Sequence, residues 1–318
     1  MIETEPALAR RHRPADAWPH RHLLDVDALS RAEVERCLDL GREMRQLHER
    51  GDRLDALAGH VVGLAFAEAS TRTRVSFEIA AGRLGAQVVE LPVEASSVTK
   101  GESLTDTLRT LERTGVGTVV LRHAASGAPY LAARATGLRV VNAGDGAHAH
   151  PTQALLDALT LVEALDGLDG RTVTIVGDLA HSRVARSNLH LLQLLGARVR
   201  LAGPPAWVGA FRSWDGVDVT TNLEEALDGT NAVMALRVQL ERDAGGGVPS
   251  LREYARRWGL DESRMRRAAP GAPLLHPGPT NEGVEVSADL AAGPRSLIGR
   301  QVANGVAVRM AVLALLAQ

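Results

Sequence analysis

Residues 171–203 read RTVTIVGDLAHSRVARSNLHLLQLLGARVRLAG: a strand, a turn, a helix and a second strand, in that order. Two strands joined through a helix run parallel, so this stretch sets an α/β fold built on parallel sheet. The same order opens dinucleotide-binding domains, whose turn carries glycines at its first, third and sixth positions so that the backbone can approach a pyrophosphate. Here the turn at 177–182 is GDLAHS, and its single glycine is too few for that cradle.

Outward from this unit, short apolar, β-branched runs alternate with helical periods from about residue 30 onward. Strands are predicted at 60–66, 87–91, 118–121, 139–142, 172–176, 198–202, 217–220, 232–235 and 273–275. They fall into two sets, separated by a helical pattern at 152–164 with apolar Leu155, Leu159, Leu161 and Val162. The expected fold is α/β, with two domains, each a central parallel sheet flanked by helices, linked by that bridging helix. Residues 1–20 are expected to form a flexible N-terminal extension, 21–153 with 301–318 one domain, and 154–300 the other. Three successive glycines after charged residues in ERDAGGGVPS, 241–250, predict a mobile loop. An apolar-rich helix at 301–317 closes the chain.

Composition narrows the function. With 318 residues, 45% hydrophobic and 23% charged, the chain supports a sizeable core. No apolar run nears the roughly 20 residues of a membrane span, so no membrane role is expected. The first twenty residues mix acids with Arg, His and Pro and lack the apolar core of a signal peptide, which makes the cytoplasm the expected location. The one cysteine, Cys37, lies in a helical pattern and reads as a buried, inert thiol. A net charge of -2 and 3% aromatics argue against a nucleic-acid surface, so any anion site must be local. Of the 36 basic residues only Lys100 is a lysine, and its compact ammonium does what a planar guanidinium does not.

Three clusters are candidates for chemistry. In Ser70-Thr71-Arg72-Thr73-Arg74, hydroxyls and arginines meet a helix N-terminus, whose unpaired N–H groups suit a phosphate. Arg72 and Arg74 stand roughly 200° apart on a helix, so they cannot serve the same ligand. Apolar Val75, Ile79 and Leu84 are expected to form the buried face. A capped helix with solvated arginines accounts for the same residues without a ligand. In His148-Ala149-His150-Pro151-Thr152-Gln153, a His-x-His pair lacks a third ligand at metal spacing, so no metal is expected. His150, extended before Pro151, can donate to an oxygen that becomes negative, while Gln153 offers both amide donors and an acceptor. A plain capping arrangement remains the alternative. Arg122, Arg183, Arg237 and Gln239 follow predicted strands, where α/β folds place ligands, and Lys100 lies in the loop SSVTKGES. Gathered, they would make a cationic pocket for a small, multiply anionic ligand.

STRTRVSFE, VTKGESLTDTL, HPTQALLD, RVQLER and HPGPTNEG followed by QVANGVAVRMAVL, in this order, closely resemble the catalytic chains of aspartate carbamoyltransferases over about residues 20–318. The resemblance implies transfer of a carbamoyl group from carbamoyl phosphate to L-aspartate, the committed step of de novo pyrimidine synthesis, without a cofactor. It implies a carbamoyl phosphate-binding and an aspartate-binding domain, and a homotrimer with active sites shared between subunits. Ser70, Thr71, Arg72, Thr73 and Arg122 would hold the phosphate. His150 would meet the carbamoyl oxygen with Thr73 and Arg122 assisting, Gln153 the carbamoyl amino group, and Arg183, Arg237 and Gln239 the carboxylates of aspartate. Ser96 and Lys100 would enter the neighbouring subunit's site, and Pro277 and Gly278 would lie near the carbamoyl nitrogen. Arg74 would be structural, and the 241–250 loop would close over aspartate. Whether trimers pair with a regulatory chain or with dihydroorotase stays open.

Two features depart from the resemblance. Many relatives have methionine and arginine where this chain has Thr280 and Glu282, which puts affinity in question more than identity. Ornithine carbamoyltransferases resemble the chain less, having cysteine in an HCLP segment where Pro277 stands. A carbamoyltransferase for another amino acid and a non-catalytic paralogue are the remaining alternatives. The chemistry fits the residue types, because attack of an amine on a mixed anhydride with phosphate needs no nucleophilic side chain. Alignment and oxyanion stabilisation suffice, and the departing phosphate can accept the amine proton.

Overall fold

The computed structural model describes residues 17–91, 103–239 and 250–318. Ser96, Lys100, the 241–249 part of the predicted loop and the extension up to residue 16 lie outside the described residues. The chain divides into two compact units. One comprises Asp39–Ala143 and Val306–Gln318 with the segment ending at Leu24; the other comprises Asp25–Leu38 and Gly144–Gly305.

The first sheet contains β1 (Val61–Phe66), β2 (Gln87–Leu91), β3 (Thr118–His123) and β4 (Arg139–Asp145), in the spatial order β2-β1-β3-β4. The second contains β5 (Thr172–Val176), β6 (Arg198–Ala202), β7 (Val217–Thr220), β8 (Ala232–Ala235) and β9 (Leu274–Leu275), ordered β7-β6-β5-β8-β9. The strand pairs β1–β2, β1–β3, β5–β6, β5–β8, β6–β7 and β8–β9 are all parallel. The described helices of eight residues or more are α1 (Arg31–Glu49), α2 (Thr71–Arg83), α3 (Leu104–Arg113), α4 (Ala128–Ala135), α5 (Pro151–Leu165), α6 (Arg183–Leu194), α7 (Leu251–Trp258) and α8 (Ile298–Leu316).

Residue type decides which strand is central. TVTIV in β5 and AVMA in β8 are buried almost throughout, because helices cover both faces of a parallel sheet. QVVEL in β2 and VDVT in β7 carry Gln87, Glu90 and Asp218 at exposed positions and lie at sheet edges, where charge blunts unwanted pairing. All nine predicted strands form. Two run further than expected: β3 reaches His123 and β4 reaches Asp145. Arg122 is therefore part of a strand, paired opposite Phe66, rather than a residue following one. Both extensions carry polar residues, Arg122 held by pairing with β1 and Asp145 by a bridge to Ala149, which hydropathy cannot foresee.

The glycine of the GDLAHS turn has a packing role. Gly177 has φ of 132°, and a Cβ there would stand 2.8 Å from the Leu236 carbonyl oxygen. It lets the chain leaving β5 pass against the chain leaving β8. Cys37 is buried as expected, and burial pushes its thiol up to about 12. Among the described residues no helix is long and apolar enough to cross a membrane.

In both sheets the strand order reverses direction beside the first strand, between β1 and β3 and between β5 and β8. Crevices outside the carboxyl ends of strands at such points are where open α/β sheets bind ligands.

Candidate active site

In the first unit, β1 and β3 end side by side at this reversal. The amide of Ala67, just past β1, donates to the Arg122 carbonyl at 2.9 Å, which places Arg122 beside the β1–α2 turn. Arg122 is largely buried. Its Nη2 lies 2.6 Å from Glu68 Oε1, and its Nη1 donates to the Ala143 carbonyl at 3.3 Å. The guanidinium is thus aimed by a carboxylate and a carbonyl and is not a mobile surface cation.

Ser70 is the extended residue preceding α2, yet its hydroxyl makes no cap hydrogen bond. Without that side-chain acceptor, the N-terminal amides and the Ser70 hydroxyl are available to an anion. Thr71 and Arg72 are exposed, and Thr73 is buried. Arg74 pairs with Glu90 at the end of β2 and is spent structurally. The expected buried face of this helix needs correction. Ile79 is 40% exposed and Val75 half-buried, whereas Thr73, Ser76, Phe77, Ala80, Ala81 and Leu84 are buried. Phe77 sets the phase: its ring, fully buried under the Arg309 guanidinium at 5.1 Å, turns the helix so that Ile79, roughly 200° away, faces outward.

In the second unit the loop after β4 delivers His150. Asp145, fully buried, accepts from the Ala149 amide at 3.1 Å, and its carboxylate lies 3.1 Å from His148 Nδ1. His148 Nε2 lies 3.5 Å from Asp25, a carboxyl that burial raises above the usual range. Backbone bonds from Asp145 to Ala149 and from His148 to Asp145 close the turn. His150, buried and non-helical with φ of -144°, donates its amide to Ser187 Oγ on α6 at 2.9 Å. The His-x-His pair is therefore divided, His148 facing the carboxylates of Asp145 and Asp25 while His150 opens α5.

Helix α5 is buried from Pro151 to Leu161, so its polar side chains need partners. Gln153 Nε2 donates to Asp157 Oδ1 at 2.9 Å, and Asp157 receives two further amides, from Gln301 and Asn188. The HPGP segment follows β9. There the His276 amide donates to Gln301 Oε1 at 2.9 Å, and the Gly278 amide to His276 Nδ1 at 2.9 Å.

The segments carrying Arg183 and Arg237 follow β5 and β8, the two strands at the second reversal. Arg183, 6% exposed, is the first residue of α6, while Arg237 and Gln239 follow β8. Asp178 joins the two segments: its Oδ2 accepts the Gln239 amide at 3.0 Å, and its Oδ1 lies 2.8 Å from His181 Nδ1. Gln239 Nε2 donates to the His181 carbonyl at 3.1 Å, closing the link. Glu285 holds the same segment from the other side, accepting from the Val238 amide at 2.7 Å and from Asn281. Burial raises the pKa of both Asp178 and Glu285 against these hydrogen bonds, and burial with their charges raises that of Tyr254 as well. Thr280 and Glu282 are exposed, and the buried acid of that segment is Glu285.

Within each unit the predicted residues lie on linked segments: Ser70–Thr73 follow the turn hydrogen-bonded to Arg122, and in the second unit His150 and Gln153 open α5, Pro277 and Gly278 follow β9, and Arg183 lies on the segment tied to that of Arg237 and Gln239. Sequence reasoning missed the buried carboxylates Asp145, Asp157, Asp178 and Glu285, which hold the second-unit segments, and Glu68, which pairs with Arg122. It sought cations for an anionic ligand. The available signal was an acid inside an otherwise apolar or glycine-rich motif, as in NAGDG, ALLDAL and IVGDL.

Residues 21–163 match the aspartate/ornithine carbamoyltransferase carbamoyl-P binding domain, and residues 169–316 match the Asp/Orn binding domain of the same family. The chain is 53% identical over 294 residues to an aspartate carbamoyltransferase catalytic subunit of Thermus aquaticus, covering 92% of this chain and 97% of the relative. It is 48% identical over 301 residues to that of Heliobacterium modesticaldum, covering 94% and 96%. Among solved structures, aspartate transcarbamoylase from Trypanosoma cruzi in complex with carbamoyl phosphate and aspartate superposes with a TM-score of 0.82 at 33% identity, covering 92% of this chain and 95% of the other. Ornithine carbamoyltransferase from Thermus thermophilus gives 0.81 at 30% identity, covering 94% and 99%.

Proposed function

Because the chain belongs to the aspartate/ornithine carbamoyltransferase family, we propose that it transfers the carbamoyl group of carbamoyl phosphate to the amino group of L-aspartate, giving N-carbamoyl-L-aspartate and phosphate. What favours aspartate over ornithine is that Arg183, at the start of α6, and Arg237 and Gln239, after β8, lie on two segments that hydrogen bonds from Gln239 to Asp178 and to the His181 carbonyl tie together. Guanidinium and amide donors suit two carboxylates, whereas ornithine brings a second ammonium that would meet them unfavourably.

Ser70, Thr71, Arg72 and Thr73, at the N-terminus of α2, receive the phosphate together with Arg122. Thr73, Arg122 and His150 donate to the carbamoyl oxygen, which gains negative charge as the amine attacks. Gln153 and the Pro277–Gly278 backbone receive the carbamoyl amino group. Arg183, Arg237 and Gln239 grip aspartate so that its amine faces the carbonyl carbon, and this alignment replaces a bimolecular encounter by an effectively unimolecular one. The C–O bond to phosphate breaks as the C–N bond forms, and the leaving phosphate takes the amine proton. Ser96 and Lys100 enter from a neighbouring subunit of a homotrimer, working in the cytoplasm, and a regulatory chain or dihydroorotase is the candidate partner for higher assembly.

The test is carbamoylaspartate formation from carbamoyl phosphate and aspartate, with ornithine as the competing acceptor. Citrulline as the preferred product, or phosphate release without a carbamoylated amino acid, refutes the proposal. Replacing Lys100 with Arg is expected to abolish most activity with the trimer intact by size measurement, and near-normal turnover contradicts its assignment.

A further inference from the structure

Asp157 sits fully buried on α5 and accepts three side-chain amides: Gln153 Nε2 at 2.9 Å and Gln301 Nε2 at 2.7 Å on Oδ1, and Asn188 Nδ2 at 2.9 Å on Oδ2. A carboxylate only accepts hydrogen bonds, so each amide must turn its N–H side inward and its oxygen away. For Gln301 a second observation fixes the same orientation. Its Oε1 receives the His276 amide, which can only donate. For Gln153 the consequence falls on the reaction. With its Nε2 engaged by Asp157, the group it presents is Oε1, to which no described residue donates.

The chain Asp157–Gln301–His276 has a matching effect. The His276 amide is taken by Gln301, the Gly278 amide by His276 Nδ1, and Pro277 has no N–H. Every backbone donor of residues 276–278 is thus consumed or missing, and the backbone of the segment offers carbonyl oxygens only. Two separate elements, one on α5 and one after β9, are made acceptors by the same buried carboxylate.

We propose that Asp157 is a positioning residue for recognition of the transferred group: by engaging the donor sides of Gln153 and Gln301, it makes both elements acceptors for the carbamoyl NH2. This rests on the carbamoyl-transfer reading above. It makes the site selective for a mixed anhydride bearing an amino group over acetyl phosphate, which has the same phosphate and carbonyl but a methyl in that place. A site built to accept N–H bonds leaves its buried oxygens unpaired against a methyl.

The experiment compares Asp157→Asn, Gln301→Met and Asn188→Ala in the full chain. For each, kcat/KM for carbamoylaspartate formation is measured, together with the inhibition constant of acetyl phosphate against carbamoyl phosphate. Asp157→Asn removes the charge to which both glutamine amides donate, and its own amide must face either them or Asn188 Nδ2, which the Val184 carbonyl also holds, so the grip on the glutamines weakens. Gln301→Met severs the link to His276 without a new polar group. Both are expected to lose roughly 10- to 100-fold in kcat/KM while acetyl phosphate inhibition stays within about threefold, so the selectivity ratio falls. Asn188→Ala removes the one amide of the hub that leads to neither acceptor, and should lower thermal stability with the ratio preserved. If Asp157→Asn does not fold, Gln301→Met against Asn188→Ala decides. Equal changes toward both acyl phosphates in the two hub variants, or a ratio shift in Asn188→Ala as large as that in Gln301→Met, overturns the proposal. A wild-type chain that forms no carbamoylaspartate overturns the underlying reading and with it this one.

Discussion

Replacing Asp145 tests how His150 is delivered. Its carboxylate is fully buried, accepts from the Ala149 amide at 3.1 Å and faces His148 Nδ1 at 3.1 Å. In Asp145→Ala the amide of fully buried Ala149 loses that acceptor, at a cost of about 1–3 kcal/mol, and a bond to a charged group worth about 1.5–3 kcal/mol goes with it. The two losses share one side chain and do not add fully, so about 3–4 kcal/mol is expected. At about 2–4 °C per kcal/mol for a unit of this size, the apparent Tm falls by roughly 6–16 °C. Asp145→Asn keeps an oxygen for the Ala149 amide and loses only the charge opposite His148, for about 1 kcal/mol. His150 follows Ala149 directly. A displacement of about 1 Å at a group aimed at the reacting carbonyl costs on the order of 100-fold, so kcat in Asp145→Ala falls by that order and in Asp145→Asn by under about tenfold. Thermal unfolding and saturating-substrate turnover, measured on both variants, check the pair. An alanine variant within about 2 °C and about threefold of the parent refutes the idea that this carboxylate aims His150.

Ser70→Ala should cost under about 0.5 kcal/mol in urea unfolding, less than the typical 1 kcal/mol for an N-cap, because the hydroxyl makes no cap bond, while the KM for carbamoyl phosphate rises about 5- to 20-fold. A stability loss without a KM change reverses that assignment. Arg183→Ala should raise the KM for aspartate by about 100-fold or more and leave carbamoyl phosphate affinity, read by equilibrium binding, within about threefold. Equal losses for both substrates count against it. Glu285 titrates above its ordinary value of about 4.5 because burial outweighs its hydrogen bonds. A raised folded-state value means stability that is fully present below the unfolded pKa and lost as pH rises through the folded one. Glu285→Gln should therefore flatten the gain in urea midpoint on going from about pH 8 to about pH 5, with Asp178 and Asp25 retaining the rest of the slope. An unchanged slope removes Glu285 from the account.

The sequence by itself determined what short-range physics controls. Runs such as TVTIV and AVMA, short, apolar and set between turns and helical periods, read as buried parallel strands, and the nine strands appear where that pattern places them. It also supplied the cations and the residues flanking strand ends, since the type of side chain an anion requires is limited. The phase of α2 was not legible, because a single ring, Phe77 under Arg309, outweighs Val75 and Ile79, and Arg309 lies far along the chain. Nor were the carboxylates that aim the site. Asp157 and Gln301 are 144 residues apart, and Asp178 meets Gln239 61 residues away. An acid in a sequence is by default a solvated surface charge; only when tertiary packing removes water does it become an obligatory acceptor that must find its N–H groups and fix them. Local pattern thus named the strands and the candidate site residues, and long-range burial decided which acids hold their segments.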